Sequence, residues 1–264
     1  EQQQAVIETL LRQDGKQHDG AQAQRILAAL SSNQALPPTL TAGAVEALAA
    51  GWGEQTAAGA GQMVPALEKL EAGEHPAVVR ACGQVRQALQ LPASDVLRQQ
   101  LAVALESVQN RSLPQEERLA LLKLIELEAF DRRAPVLYAL LDNREPQALQ
   151  EEVLWQLWRA DNPEIAHRLV GLWPTLGPAA RKGAGDILLY KSANQEVLLS
   201  ALESGAIKMG EMKFDLERRR TLLWWSDSES VKKRAEALFS DAGVVTRREA
   251  IDAMRPALEL AGDV

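Results

Sequence analysis

A 3.6-residue hydrophobic period runs through nearly the whole chain, and strand signals are almost absent. Apolar stretches of helical length alternate with short breaks made of helix-stopping residues. These are Pro37-Pro38, Gly73 ahead of Pro76, Pro92, Pro114, Pro135, Pro163, Pro178 and Gly205. The spacing predicts helices near 3–13, 21–31, 40–51, 62–72, 76–90, 93–109, 114–129 and 134–142. Further helices are predicted near 146–160, 163–173, 177–190, 195–204, 214–225, 228–239 and 246–258. Asp95, Ser112, Asn162 and Thr246 stand where N-caps belong. Ala and Leu dominate and only 4% of residues are aromatic, a composition that favours helix over sheet.

The helices recur in twos. "APVLYALLDN", "PEIAHRLVGL" and "NQEVLLSALE" align as first helices, and "LQEEVLWQLW", "PAARKGAGDILL" and "FDLERRRTLLWW" as their partners. The repeat is roughly 30–36 residues, within the range of helical-hairpin arrays. One hairpin cannot bury its apolar stripe alone, whereas stacking on neighbours buries both sides. Helix 114–129 fits such a setting, because Leu119, Leu121, Leu122, Leu124, Ile125 and Leu127 occupy more than one face. Gly183 and Gly185, each costing about 1 kcal/mol in a helix relative to Ala, point to a close helix approach. The expected fold is all-α: one α-solenoid domain over 1–264, built of stacked antiparallel helix pairs of the HEAT type.

Charge narrows the partners. The net charge is −7; residues 1–132 hold 11 basic and 16 acidic side chains, and residues 133–264 hold 18 and 20. Neither half is a basic platform for nucleic acid, which draws on phosphate neutralisation. No apolar run approaches the roughly 18 residues of a membrane span. The segment begins at Glu1 without a Met and ends just past a helix-stop signal at Gly262-Asp263, so it is expected to be a piece of a larger chain.

Known reaction motifs are missing. His18, His75 and His167 are scattered and belong to no metal-ligand spacing, so no metal site is expected. Cys82, the single cysteine, lies on a helix with Val78, Val79 and Val85 and reads as a small buried apolar residue. "AGAGQM" has Val64 where a dinucleotide fingerprint needs its third glycine, and no strand precedes it. Paired acids such as Glu116-Glu117 and Glu151-Glu152 open helices, where the helix dipole favours them.

Tryptophan is the unusual resource. Trp155 and Trp158 are i, i+3 neighbours, Trp173 follows in the next repeat, and Trp224 and Trp225 are consecutive. Adjacent helical residues point about 100° apart, so one of Trp224 and Trp225 is expected to face a neighbouring repeat and the other a groove or partner. Lys232, Lys233 and Arg234 form a basic edge beside them. These five residues are the candidate partner-binding set; the basic edge would orient docking if it is more than a polar cap.

The stretch "GEMKFDLERRRTLLWWSDSESVKKRAEALFSDAGVVTRREAIDAMRPALELAGDV" resembles the last helical repeats of large exported planctomycete-type proteins. These are described as haem-binding, membrane-bound dehydrogenase-like proteins. In that family a β-propeller precedes HEAT repeats, and a c-type cytochrome domain with a C-x-x-C-H motif follows them. The resemblance covers about 185–264, with only the repeat pattern before it. It implies a periplasmic or otherwise exported, non-catalytic scaffold that spaces or docks redox domains. Covalent haem c would sit in a missing C-terminal domain and no cofactor in this segment. The partner would be a neighbouring domain of the same chain or another protein. Two other functions compete: a free-standing peptide- or protein-binding HEAT adaptor, and a HEAT-type DNA base-excision enzyme using Trp and Asp in a groove.

Overall fold

The computed structural model describes residues 2–17, 19–33, 35–52, 60–73 and 75–240, with side chains from residue 9 onward. The described residues are helical with no strand; one isolated antiparallel bridge joins Asp142 to Leu176. The predicted helix 246–258 and its cap Thr246 lie outside the described residues, as does His18. The chain divides into two compact units, Glu1–Leu140 and Leu141–Val264.

The first unit contains α1 (Gln2–Lys16), α2 (Gly20–Ser32), α3 (Pro38–Trp52), α4 (Val64–Glu71), α5 (Pro76–Ala88), α6 (Asp95–Ser107), α7 (Gln115–Leu124) and α8 (Phe130–Ala139). Helices alternate between two layers: α3 packs between α1 and α5, α5 reaches α7, and α2 lies on α4. A helix flanked on both sides needs apolar residues around most of its circumference. The sequence of α3 supplies them, burying Ala42, Ala44, Val45, Ala47, Leu48 and Trp52. Leu27, Leu48, Met63, Leu67 and Cys82 join one core, each fully buried leucine contributing about 1.5–3 kcal/mol.

At the crossing of α1 and α3 the backbones touch. A Cβ added to Gly51 would lie 2.1 Å from the Arg12 carbonyl oxygen, and one added to Gly15 would lie 2.5 Å from that of Leu48. Between α4 and α5 the core encloses an ion pair. Arg86 Nε and Nη2 donate to Glu71 Oε1 and Oε2 at 2.8 and 3.0 Å, and Nη1 donates to the Pro92 carbonyl at 3.0 Å. Their side chains are 3% and 0% exposed.

Local differences from the sequence reading have simple causes. Ser94, one residue before Asp95, caps α6 by accepting from the Leu97 amide at 3.1 Å. Ser112 caps nothing; its hydroxyl donates to Asn110 Oδ1, and Pro114 precedes α7. The predicted helix 114–129 ends at Leu124 and tightens into a 3₁₀ turn, Ile125–Leu127, before α8 begins. α8 starts a turn before Pro135, on an exposed stretch where water can satisfy the carbonyl that proline leaves unpaired.

The second unit contains α9 (Gln147–Arg159), α10 (Glu164–Leu172), α11 (Pro178–Tyr190), α12 (Gln195–Glu203), the single turn α13 (Met209–Met212), α14 (Leu216–Leu223) and α15, which covers 229–240. The two-layer alternation recurs, with α11 between α9 and α14, and α10 on α12. Both glycines singled out in α11 mark close approaches: a Cβ on Gly183 would meet Leu154 Cδ1 at 2.6 Å, and one on Gly185 the Met212 sulfur at 3.2 Å. Two of the last carbonyls of α11 accept from side chains that follow it, Ile187 from Asn194 Nδ2 and Leu189 from Gln195 Nε2 at the start of α12.

Candidate functional site

A groove of about 460 Å³ opens between α9 and α11. The two helices run alongside one another in matched register. Leu154 meets Gly183 at one level, and Lys191 Nζ, just past α11, donates to the Ala160 carbonyl, just past α9, at 2.7 Å. The absent side chain at Gly183 is what brings the helices close there. Buried Leu154 and Ile187 lie deepest; Trp155, Trp158 and Tyr190 stand around them, with Trp155 54% and Tyr190 41% exposed. Glu151, Lys182 and Asp186 complete the lining.

Charge in the groove is partly committed. Asp186 pairs with Arg218 of α14. Burial pushes the Asp186 carboxyl above its usual range, against the pull of Arg218 and then Lys182. Burial likewise raises the Tyr190 phenol. The Arg159 guanidinium sits 5.5 Å from the Trp155 ring centre, within cation–π range.

The tryptophans thus divide by environment. Trp173 is core, 1% exposed, its indole N–H donating to Glu211 Oε2 at 3.1 Å. Trp224 and Trp225 are both at the surface, 63% and 59% exposed, so neither faces a neighbouring repeat. The expected 100° divergence does not apply, because α14 ends at Leu223 and Trp224 is its C-cap with φ −124°. Arg220 stacks over Trp224 at 5.3 Å.

The basic edge is less open than its sequence suggests. Arg234 is clamped to α12: it donates to Glu203 at 2.8 and 2.7 Å, to Ser200 Oγ at 2.9 Å and to Glu196 Oε2 at 2.5 Å. These bonds hold the Glu203 carboxyl below its usual value. Lys232 pairs with Glu229 at 2.7 Å, and Lys233 is exposed. Arg234 therefore closes α15 onto α12, and the structure does not bring the basic edge into the α9–α11 groove.

Elsewhere, chemistry-bearing groups are isolated. His75 precedes α5 without a side-chain cap bond, and His167 is exposed on α10. Among the described residues no group of three His, Cys, Asp or Glu is placed to hold a metal ion, and no helix is long and apolar enough to cross a membrane. Burial, and then the charge of Glu71, pushes the Cys82 thiol from 9.0 to about 12. That is about a thousandfold less thiolate than an ordinary thiol has at neutral pH. The folded protein should therefore resist an aromatic disulfide reagent at mildly alkaline pH and release one equivalent of thiol in denaturant. Full reaction of the folded chain within minutes would contradict this placement.

The groove was partly visible in the sequence, which offered the Trp155/Trp158 pair and Gly183 as separate signals; Tyr190 and Asp186 carried none. Compared with protein-family models, curated proteins and solved structures, the chain matches none.

Proposed function

We propose that this chain is a non-catalytic helical-repeat scaffold, built of HEAT-like antiparallel helix pairs, that docks a protein partner through its second unit. The two-layer alternation of α9, α11 and α14 against α10 and α12 supports the solenoid reading. The observation that carries the docking reading is the placement of large apolar side chains. Among the described residues the exposed aromatic side chains, Trp155, Tyr190, Trp224 and Trp225, 41% to 63% exposed, all fall in the second unit with Leu216, whereas the large hydrophobics exposed in the first unit are the aliphatic Leu10 and Val103. Exposed tryptophan and tyrosine are characteristic of interface anchors, where a rigid ring is desolvated at small entropic cost.

The narrower reading, that the partner is a redox domain of an exported electron-transfer protein, draws on the resemblance of 185–264. Haem would then belong to the partner or a neighbouring domain. The base-excision reading has one observation in its favour, two tryptophans and Asp186 in one groove. Against it stand the Asp186–Arg218 pair and the net charge of −7.

The test is a photo-crosslinking amino acid at Trp155 or Trp224 of the full-length natural protein, with Glu106 of α6 as control. A discrete product at Trp155 or Trp224, mapped by mass spectrometry to one domain or one partner chain, is expected. Equal yields at all three positions, or none, would reject the docking role.

A further inference from the structure

We infer that the outward face of α14 and its cap, formed by Leu216, Arg219, Arg220, Leu223, Trp224 and Trp225, receives an acidic segment of the partner protein, its carboxylates held by the two guanidiniums. This rests on the docking reading above and names the chemistry of what docks.

Helical spacing assembles the face. Leu216, Arg219, Arg220 and Leu223 stand at i, i+3, i+4 and i+7, one stripe of α14. The opposite stripe is turned inward: Thr221 and Leu222 are buried, and Arg218 reaches Asp186 of α11. Trp224 and Trp225 close the exposed stripe at the C-terminal end of the helix. Leu216 and both tryptophans are 59% to 64% exposed.

The two arginines identify the occupant. Elsewhere in this unit arginine is met by carboxylate: Arg144 by Asp142, Arg181 by Glu211, Arg218 by Asp186, and Arg234 by Glu196 and Glu203. Arg219 and Arg220 make no ion pair among the described residues, and the exposed Glu217 beside them pairs with neither. Arg219 donates only its Nε, to the Phe214 carbonyl at 3.1 Å. Arg220 has its Nε buried without an acceptor. Each guanidinium lies on a ring, Arg219 over Phe239 at 5.4 Å and Arg220 over Trp224 at 5.3 Å. Stacking occupies the face of a guanidinium and leaves its terminal N–H groups at the edge, where a carboxylate accepts through two parallel bonds.

Other occupants fit less well. A purely apolar one would strip water from two guanidiniums without returning an acceptor. A lipid surface or a nucleic-acid backbone is held by many cations at once, and this face offers two. The neighbouring basic edge adds little, because Lys232 pairs with Glu229 and Arg234 is clamped to α12. The net charge of −7 does not oppose an acidic segment here. Residues 141–240 hold 14 basic and 15 acidic side chains, so most of the acidic surplus lies elsewhere in the chain.

The experiment follows the indole N–H resonances of the full, nitrogen-15-labelled chain, with Trp224→Phe and Trp225→Phe identifying the two peaks. The probes are a blocked six-residue peptide with two glutamates between leucines, and the same peptide with glutamine at both places. The glutamate peptide should shift both peaks and bind about tenfold more tightly than the glutamine peptide. Arg219→Gln with Arg220→Gln should erase that preference while the other indole peaks keep their positions. Arg219→Lys with Arg220→Lys, which keeps the charge and loses the fork, should recover only part of it. Equal binding of both peptides would overturn the acidic occupant. Larger shifts from phosphatidylserine vesicles than from the glutamate peptide would overturn it in favour of a lipid surface. If neither peptide moves the peaks while the crosslink from Trp224 to a partner persists, the site chemistry fails and the docking reading stands. A crosslink from Trp224 only to residues 241–264 of the same chain would overturn the proposal in favour of an internal occupant. Loss of the crosslinks at both Trp155 and Trp224 would remove both readings.

Discussion

Glu71→Ala should destabilise the first unit by about 3–5 kcal/mol. Glu71 closes α4 and Arg86 lies in the last turn of α5, both within the apolar core around Cys82 and Val85. Removing the carboxylate leaves a guanidinium that is 3% exposed with only the Pro92 carbonyl to receive its protons. A uniquely placed charge in an apolar interior is tolerated only while it is paired. The pair itself is worth far less than its rupture, because desolvating two ions offsets most of their attraction. Glu71→Leu combined with Arg86→Met should therefore lie within about 1–2 kcal/mol of the natural protein, and can exceed it in stability. Cys82 supplies the readout, since a thiol buried in the same core reacts only when this unit opens. Its labelling rate should rise by two to three orders of magnitude in Glu71→Ala, the equivalent of about 3–4 kcal/mol, and return close to the natural rate in the double variant. A single variant that labels as slowly as the natural chain would show that the pair contributes nothing.

That ion pair also marks where sequence reading stops. Helices were legible because period and punctuation agree: proline and glycine stand at the breaks, and the predicted and observed bounds of α2, α5, α9, α11 and α12 differ by at most two residues. The end of α14 was misplaced because Trp224 and Trp225 continue an apolar run, and hydrophobicity alone cannot distinguish a helix from its cap. Nothing local connects Glu71 with Arg86, fifteen residues apart, until α4 folds back on α5. Arg234 looked like part of an outward-facing edge for the same reason. Its partners, Glu196, Ser200 and Glu203, lie 31 to 38 residues upstream. In the α9–α11 groove, Trp155 and Trp158 follow from helical spacing. Tyr190 and Asp186 join them only through the register that Gly183 and Lys191 set.

Glycine at position 51 should prove nearly irreplaceable, and Gly51→Ala is expected to loosen α1 from α3. In an isolated helix the change would stabilise by about 1 kcal/mol, since alanine is the better helix former. Here the new methyl would lie 2.1 Å from the Arg12 carbonyl oxygen and 3.0 Å from Arg12 Cα. Both are backbone atoms, so no rotamer change relieves the overlap, and the helices must separate. α3 is held by α5 on its other side, which leaves α1 as the element that moves. Separation also breaks the reciprocal approach of Gly15 to Leu48, so one methyl group undoes the whole crossing. Overpacking of this kind costs about 1–3 kcal/mol, and a contact between two main chains belongs at the upper end. Gly183→Ala provides the contrast. Its obstacle, at 2.6 Å, is Leu154 Cδ1, the far end of a flexible side chain that can turn aside, so a change within about 1 kcal/mol is expected. Hydrogen exchange separates the two cases. Gly51→Ala should strip protection from amides of 2–16 while α5 stays protected, and Gly183→Ala should leave α9 and α11 protected. Full protection of α1 in Gly51→Ala, at unchanged melting temperature, would mean that the two backbones are not in contact.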